Sequence, residues 1–311
     1  MFKLQAAYNI VYKNYIAALG IDPKEVKSIE SIPFLPIELF KNNRIETTEF
    51  EPEVIFESSG TTGENVSRHF VKDLSLYKKS FQKCFQLFYG QPSQWCILGL
   101  LPAYLERKNS SLVTMVQDLI WQSGNENSGF YLYDHDKLYQ VIVQNEMRQQ
   151  PTLLIGVTFA LFDFAEKYSV KLRYTTVMET GGMKGRKEEL TRQAVHDFLK
   201  ERLGLDAIHS EYGMTELLSQ AYSKANGMYR CPPWMKVLVR EENDPFAITS
   251  KPLTGKPSAG LLNIIDLANL YSCCFIATDD IGRLYQNGSF EVLGRRDISD
   301  LRGCSLLTAS Q

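Results

Sequence analysis

Short apolar runs alternate with helix-patterned segments through the middle of the chain. In the segments between the runs, apolar residues recur every three or four positions, which is typical of amphipathic helices. The alternation predicts β–α units and therefore a mainly parallel sheet covered by helices, an α/β fold. The expected strands are "WCILGLLPA", "TLLIGV" and "YTTVMETGG", and the expected helices are "KDLSLYKKSFQKCFQLFY", "SSLVTMVQDLIWQ", "FALFDFAEKY" and "KEELTRQAVHDFLKERLG".

The two ends of the chain have different patterns. Near the start, Ile10, Val11 and Ile16 are expected to share one helical stripe that ends at Gly20. From about residue 228 the pattern is one of strands and turns, "MKVLVR", "GLLNIIDL", "CCFIATDDIG" and "SFEVLGRRD", which predicts an antiparallel or barrel-like part. We therefore expect one compact domain over 1–311, with an α/β core (1–227), a β-rich part (228–297) and a short tail (298–311).

Composition limits the kinds of partner. The chain has 311 residues, and 44% of them are apolar, which is enough to fill the core of a soluble globular protein. The net charge is −2, with 34 basic and 36 acidic residues, so bulk electrostatics favour neither nucleic acid nor an anionic membrane. No stretch of about 18 consecutive apolar residues occurs, so neither a signal peptide nor a membrane span is expected.

The cysteine pattern indicates a reducing compartment, and the histidine positions argue against a zinc site. Six cysteines, at positions 84, 96, 231, 273, 274 and 304, show neither CxxC spacing nor the density of a disulfide scaffold. The four histidines, at 69, 135, 196 and 209, do not lie at ligand spacing from a cysteine, which argues against zinc. A cytoplasmic location fits this pattern.

The stretch "ESSGTTGENVSR", residues 57–68, is the first candidate for chemistry. Gly60 and Gly63 permit a tight turn of the backbone, and the hydroxyls of the neighbouring Ser58, Ser59, Thr61 and Thr62 are hydrogen-bond donors. Such a loop, expected between a strand and a helix that begins near Lys72, can hold phosphate. It lacks the GxxxxGK[ST] spacing of a Walker loop. A polar surface turn is the alternative interpretation of this stretch taken alone.

Three later stretches strengthen the phosphate interpretation. They are "SEYGMTE" (210–216), "TDDIGRL" (278–284) and "GRRD" (294–297). In this order, the four stretches resemble the adenylate-forming superfamily of acyl and aryl CoA ligases. More closely, "SIPFLPIELFK", "METGGMKGR", "EYGMTEL" and "CPPWMKVLVR" resemble the LuxE-type acyl-protein synthetases, relatives of the phenylacetate CoA ligases, over nearly the whole chain.

The resemblance implies an activity. Enzymes of this family activate a long-chain fatty acid with ATP to an acyl adenylate and then transfer the acyl group to a cysteine thiol, on the way to an acyl reductase. The implied ligands are ATP and Mg²⁺. The implied partners are the fatty acid and an acyl reductase or acyl-carrier protein, with no nucleic acid and no stable membrane insertion.

The resemblance also implies roles for single residues. Thr215 matches the hydroxyl that contacts the α-phosphate, Glu216 the magnesium ligand, Asp280 the ribose ligand and Arg295 the hinge arginine. Tyr212 matches the ring that stacks on adenine, with a core position as its alternative. The implied ATP-binding positions are Ser58, Ser59, Gly60, Thr61, Thr62, Gly63, Arg68, Gly181, Gly182, Glu211, Tyr212, Gly213, Met214, Thr215, Asp280 and Arg295.

Three departures from the family pattern stand out. Asp279 replaces a usual glycine in "TDDIGRL", and the usual lysine after the glycine-rich loop is missing, so Arg68 is the candidate for the positive charge there. A mobile C-terminal lid domain of about a hundred residues, an ordinary domain size, normally follows the hinge and is expected to be absent. The resemblance then implies that Cys304, near the C-terminus, collects the acyl group as a thioester. A packed or free terminal thiol is the alternative interpretation of Cys304.

Two other functional hypotheses stay open at this point. One is a CoA ligase of the phenylacetate type that meets its lid as another chain. The other is a non-catalytic nucleotide-binding subunit that docks a partner reductase. Exchange of pyrophosphate into ATP, driven by a carboxylic acid, would distinguish the enzymes from the binding subunit.

Overall fold

The protein is described by a computed structural model over residues 1–58, 66–102, 109–181 and 191–296. The helices in these ranges are Phe2–Tyr8 (α1), Ile10–Ala18 (α2), Leu39–Asn42 (α3), Leu74–Tyr89 (α4), Ser111–Ser123 (α5), His135–Met147 (α6), Thr158–Lys167 (α7) and Arg192–Leu203 (α8). The strands are Leu35–Pro36 (β1), Val54–Glu57 (β2), Arg68–Val71 (β3), Cys96–Leu100 (β4), Gly129–Phe130 (β5), Thr152–Val157 (β6), Thr175–Thr180 (β7), His209–Tyr212 (β8), Ala221–Ser223 (β9), Tyr229–Arg230 (β10), Met235–Arg240 (β11), Ile248–Thr249 (β12), Ser258–Asp266 (β13), Phe275–Leu284 (β14) and Phe290–Arg295 (β15).

Thirteen of the described strands form one mixed sheet. Its order is β12-β11-β13-β14-β15-β10-β9-β8-β7-β6-β4-β5, and β1 pairs with β14 outside this path. The strands β5, β4, β6, β7 and β8 run parallel to one another, whereas every pair from β8–β9 to β11–β12 along the order is antiparallel. The predicted α/β start and β-rich C-terminal part are both confirmed.

Local signals explain where the central elements begin and end. The Ser110 hydroxyl caps α5 by accepting a hydrogen bond from the Val113 N–H, and Gly124 ends that helix in the left-handed conformation. All six residues of β6 are buried, as expected for a strand inside a parallel sheet with helices on both faces. Gly204, with φ of +63°, ends α8 where the sequence predicted.

The glycine-rich loop follows a different local structure from the one predicted. It connects β2 to β3 as an antiparallel hairpin in which Glu57 lies opposite Arg68. The predicted direct passage from a strand to a helix near Lys72 is therefore wrong, since β3 intervenes and α4 begins at Leu74. Asp73 caps that helix through the Ser75 N–H. The local sequence contains no two-residue turn signal that would have predicted this hairpin.

Two hydrophobic clusters flank the sheet. One unites the parallel strands with α4 to α8, and the other unites the antiparallel strands with the first 45 residues. In α2 the buried positions are Tyr12 and Ile16, whereas Ile10 is 72% exposed, so the predicted stripe is wrong at Ile10. The domain division at residue 227 stays a prediction. None of the described helices is long and apolar enough to cross a membrane.

The fully buried amide of Gln5 joins α1 to the loop after β13. Its Nε2 donates to the carbonyls of Asn269, Leu270 and Ser272 at 2.9, 3.2 and 3.2 Å, and its Oε1 accepts from the Cys274 N–H at 2.8 Å. A buried backbone group that loses its partner costs about 1–3 kcal/mol. The side chain therefore fastens the N-terminal helix to a loop that lies close to the candidate site.

We expect Gln5→Leu to lower the free energy of unfolding by about 3 kcal/mol, because the Cys274 N–H and the Leu270 carbonyl lose their partner. Urea denaturation measures the change. The matched control Gln144→Leu, at an exposed position of α6, is expected to stay within about 0.5 kcal/mol of the wild type. Equal stability of the two variants would contradict this role of Gln5.

Candidate active site

The candidate site lies where the parallel strands β7 and β8 end. Thr180, at the end of β7, lies opposite Glu211 on β8, and the segment 213–216 follows β8. Ligands of open α/β sheets bind at the carboxyl ends of the strands. The predicted nucleotide-binding segments after both strands are thus adjacent in space.

The neck of the hairpin loop reaches this edge of the sheet. The Ser58 N–H donates to the Ser67 carbonyl at 3.0 Å, and the Ser67 N–H donates to the Ser58 hydroxyl at 3.0 Å. Ser67 lies close enough to the Glu216 carboxyl group to lower its pKa. Arg68 is exposed at the first position of β3. The loop positions Ser59, Gly60, Thr61, Thr62 and Gly63, as well as Gly182 and Cys304, lie outside the described residues.

Glu216, the predicted magnesium ligand, is a buried carboxyl group with 5% exposure. Burial raises its pKa above the ordinary value, and the negative charge of Asp280 adds to the rise, while the Ser67 hydrogen bond and the positive charge of Arg295 oppose it. These interactions place Glu216, Asp280 and Arg295 within electrostatic reach of one another. The sequence predicted that these three residues share a site, and the structure brings them together.

This group of side chains fits a magnesium–nucleotide complex. No cluster of three or more histidine, cysteine, aspartate or glutamate side chains that could hold a metal occurs in the described ranges. Mg²⁺ is commonly held by one or two carboxylates together with substrate phosphates rather than by a cage of protein ligands. A single buried carboxylate near the hydroxyl of Ser67 is compatible with such a donor set.

Asp280 and Arg295 face each other on adjacent strands of the β-rich part. They are opposite residues in the antiparallel pairing of β14 and β15, and the Tyr212 hydroxyl donates to Asp280 Oδ2 at 2.7 Å. Burial raises the pKa of Asp280, and the Tyr212 hydrogen bond and the Arg295 charge lower it. Arg295 is exposed, so its guanidinium group is not desolvated and is accessible to an anion.

The ring of Tyr212 is buried with 8% exposure and lies edge-on to Tyr229 and Phe290, at centroid distances of 5.9 and 5.5 Å. Its hydroxyl is the group that contacts Asp280. The adenine-stacking role stays a prediction.

Asp279, the departure from the family pattern, has a contact of its own. Neighbouring residues of a strand point to opposite faces, so the Asp279 side chain points away from that of Asp280. Asp279 Oδ1 lies 3.5 Å from Arg296 Nη2, and its carbonyl accepts from the Arg296 N–H at 2.9 Å. The extra carboxylate thus holds the residue that follows the predicted hinge arginine.

A polar network that the sequence did not predict supports the glycine turn after β7. The Thr158 hydroxyl lies 2.9 Å from the carbonyl of Gly181 and 3.0 Å from Glu179 Oε2. Glu179 Oε1 lies 3.4 Å from His196 Nε2 and 3.5 Å from Arg192 Nε. Gly181 has φ of +77°, a conformation that favours glycine. The turn is therefore held by the start of α7 and by α8.

The segment after β8 is tightly constrained around Glu211. The Thr180 hydroxyl donates to Glu211 Oε2 at 2.6 Å, and a Cβ atom at Gly213 would lie 2.4 Å from Glu211 Oε1. A side chain at position 213 would therefore displace the Glu211 carboxyl group. Met214 and Thr215 are half-buried, and the Leu217 N–H closes a turn on the Met214 carbonyl at 3.1 Å.

Burial raises the pKa of Glu211 from 4.5 to about 7. The pKa of Glu211 is higher in the folded protein than in the unfolded chain. Its contribution to the free energy of unfolding is therefore fully present below about pH 4.5 and is lost as the pH rises through about 7. We expect Glu211→Gln to remove a pH dependence on the order of 3 kcal/mol across this interval. Urea denaturation of both proteins against pH measures it. A stability difference that does not change with pH would contradict the expectation.

Comparison with known proteins places this geometry in context. The sequence model of a family described as "Acyl-protein synthetase, LuxE" matches residues 2–311. A long-chain-fatty-acid–luciferin-component ligase of Aliivibrio fischeri is 23% identical over 335 residues, which cover 97% of this chain and 84% of that protein.

Two solved structures are similar in fold. ATP-bound MatB from Rhodopseudomonas palustris has a TM-score of 0.57 and 16% identity, over 80% of this chain and 50% of that one. The ATP and magnesium complex of O-succinylbenzoate coenzyme A synthetase (MenE) from Bacillus subtilis has a TM-score of 0.53 and 15% identity, over 78% of this chain and 50% of that one. This chain spans about half the length of both proteins. The likeness confirms the predicted fold, which is that of the N-terminal part of adenylate-forming enzymes.

Proposed function

Because the chain belongs to the LuxE acyl-protein synthetase family, we propose that it activates a long-chain fatty acid with ATP and transfers the acyl group to a cysteine thiol. The observation that carries the proposal is the contact between the hairpin neck and Glu216. Ser67, which follows the loop proposed to hold the phosphates, lies close to the proposed metal ligand. The proposed ribose ligand Asp280 lies within electrostatic reach of the same carboxyl group.

The first step joins the fatty acid to AMP. A carboxylate oxygen attacks the α-phosphorus of ATP, the bond to the bridging oxygen breaks, and pyrophosphate leaves. The protein contributes positioning and charge stabilisation, which are the main terms in such transfers. The loop Ser58–Gly63 would hold the β- and γ-phosphates, Thr215 the α-phosphate and Asp280 the ribose diol.

Two residues would help to stabilise the negative charge on the phosphate oxygens in this step. The exposed guanidinium of Arg295 can form paired hydrogen bonds to phosphate oxygens. Glu216 would supply a carboxylate ligand to Mg²⁺. The ion, when bound, neutralises charge on the phosphate oxygens.

The second step moves the acyl group to sulfur. A thiolate attacks the carbonyl carbon of the acyl adenylate, the C–O bond to AMP breaks, and AMP leaves with the electron pair. Cys304 is the proposed acceptor, and an acyl reductase or acyl-carrier protein is the proposed recipient.

The other five cysteines support the choice of Cys304. Burial raises the pKa of all five thiols, to about 12 for Cys231 and Cys273, so little nucleophilic thiolate forms near neutral pH. Four of them are buried, and Cys231 is half-buried.

The test is pyrophosphate exchange into ATP by the purified chain, with Mg²⁺ and a screen of saturated, unsaturated and aromatic acids. We expect exchange that depends on a long-chain fatty acid, together with a hydroxylamine-labile acyl adduct on the protein without CoA. Turnover that requires CoA would instead indicate a CoA ligase. No exchange with any acid would overturn the proposal and leave the nucleotide-binding subunit as the function.

A further inference from the structure

The strand after the hairpin loop contacts the Glu216 segment at two points. Ser67 and His69 lie two positions apart and therefore point to the same side of the chain. Ser67 lies close enough to the carboxyl group of Glu216 to lower its pKa, and His69 Nδ1 lies 2.8 Å from the carbonyl oxygen of Thr215. His69 has 1% exposure. The hairpin is thus connected both to the proposed metal ligand and to the peptide group that precedes it.

The donor of this second bond follows from the chemistry of the ring. A carbonyl oxygen can only accept a hydrogen bond, so the His69 proton is on Nδ1. Burial lowers the pKa of His69 to about 4, so the ring is neutral near pH 7 and Nε2 carries no proton. Nε2 has no hydrogen-bond partner among the residues that the structure describes. Among the described residues, the His69 ring therefore makes its hydrogen bond to the Thr215 carbonyl.

A second buried side chain holds the next carbonyl from the opposite side. Asn269 Nδ2 donates to the Glu216 carbonyl at 2.9 Å, and Asn269 has 0% exposure. The Asn269 backbone is itself fixed by Gln5. Two consecutive carbonyls, of Thr215 and Glu216, are therefore each held by a side chain from a distant part of the sequence.

These two bonds restrict the backbone on both sides of Glu216. The peptide groups before and after a residue are planar, so fixing both carbonyl oxygens leaves the residue little rotation about its two backbone bonds. The direction of the Cα–Cβ bond is then fixed as well. Residues that orient a metal ligand without touching the ion typically change metal affinity by 10–100-fold when they are replaced.

We propose that His69 and Asn269 are positioning residues that aim the Glu216 carboxylate at the metal ion of a metal–nucleotide complex. The inference rests on the proposed function, because Glu216 is the metal ligand only if the site binds a metal nucleotide. Ser67, which immediately precedes β3, lies close to the same carboxyl group.

Two substitutions of His69 distinguish the effect of the hydrogen bond to Thr215 from the effect of losing the imidazole ring. Asparagine has its amide nitrogen as many bonds from Cβ as histidine has Nδ1, so His69→Asn keeps a donor near the same place. Glutamine places its amide nitrogen one bond further, at the distance of Nε2, so His69→Gln moves the donor. Asn269→Leu removes the other donor while keeping the branched shape. His135→Gln, at a half-buried position of α6, is the matched control.

The readout is direct binding of Mn²⁺ as a substitute for Mg²⁺, followed by electron paramagnetic resonance with a non-hydrolysable ATP analogue. Affinity for the analogue without metal and the thermal midpoint are measured in parallel. We expect His69→Gln and Asn269→Leu to weaken Mn²⁺ binding by about 10–100-fold, with little change in metal-free nucleotide affinity. His69→Asn and His135→Gln should stay within about threefold of the wild type.

Three results would overturn the inference. The first is unchanged Mn²⁺ binding in His69→Gln and Asn269→Leu. The second is equal weakening in His69→Asn and His69→Gln. The third is a parallel loss of metal-free binding with a lower thermal midpoint, which indicates a structural role alone. If the wild type itself binds no metal nucleotide, the proposed function fails, and this inference fails with it.

Discussion

Replacement of Glu216 with glutamine is expected to lower fatty-acid-driven pyrophosphate exchange by about 100-fold or more, the usual size of effect when one charge-stabilising group is removed from an active site. Glutamine keeps the size of the side chain and can still bond Ser67, but it lacks the negative charge that a metal ligand needs. Because burial raises the pKa of Glu216, the charged carboxylate is costly in the free protein. The thermal midpoint should therefore stay the same or rise.

Exchange rates measured against Mg²⁺ concentration, together with thermal unfolding, check this prediction. Glu201→Gln, at an exposed position of α8, is the matched control and should leave exchange unchanged. If Glu216→Gln retained exchange within about threefold of the wild type, the account of Glu216 as the metal ligand would be wrong.

Cys304→Ser is expected to abolish the hydroxylamine-labile acyl adduct while leaving pyrophosphate exchange within about twofold of the wild type. A serine hydroxyl near neutral pH is a far weaker nucleophile than a partly ionised thiol. Exchange reports only the formation of the acyl adenylate, which does not involve the thiol. Intact-protein mass spectrometry after incubation with ATP and fatty acid measures the adduct.

Cys231→Ser provides the matched control for this variant. Burial raises the pKa of Cys231 to about 12, so its thiol is not expected to compete for the acyl group. The adduct should therefore persist in Cys231→Ser. An adduct that persists in Cys304→Ser, or one that disappears in Cys231→Ser, would assign the acceptor to another residue.

The sequence predicted the central elements of the fold because their signals are local. The largely apolar β6 and the serine-capped α5 are recognisable without knowledge of their neighbours. Pairings between distant segments are not. The two-residue strand β1 pairs with β14, Leu35 lying opposite Ile276, and no property of either segment alone indicates the other. The same holds for the N-terminal helices, whose core is completed by the β-rich strands.

In the candidate site, too, some features could be predicted from the sequence and others could not. The order of the motifs predicted that Glu216, Asp280 and Arg295 share a site, and these residues are close in the structure. The residues that hold the site were missed, because a lone polar residue inside an apolar segment has no characteristic spacing. His69 offered one signal: it lies two positions after Ser67, and polar residues at that spacing on a strand share a face.

Asp279 illustrates how a departure from a family pattern can be explained by structure. In the sequence, Asp279 replaces the glycine that is usual in the family. In the structure the Asp279 side chain pairs with Arg296 on the other side of the strand from Asp280. The carboxylate therefore anchors the residue that follows β15 and does not occupy the side of the strand on which Asp280 lies.

The most direct test of the account is an experimental structure of the chain with Mg²⁺ and a non-hydrolysable ATP analogue. The account predicts the triphosphate between the Ser58–Ser67 neck and Glu216, with the metal on the Glu216 carboxylate and the ribose hydroxyls on Asp280. A nucleotide bound away from these residues, or a metal held by other side chains, would contradict it.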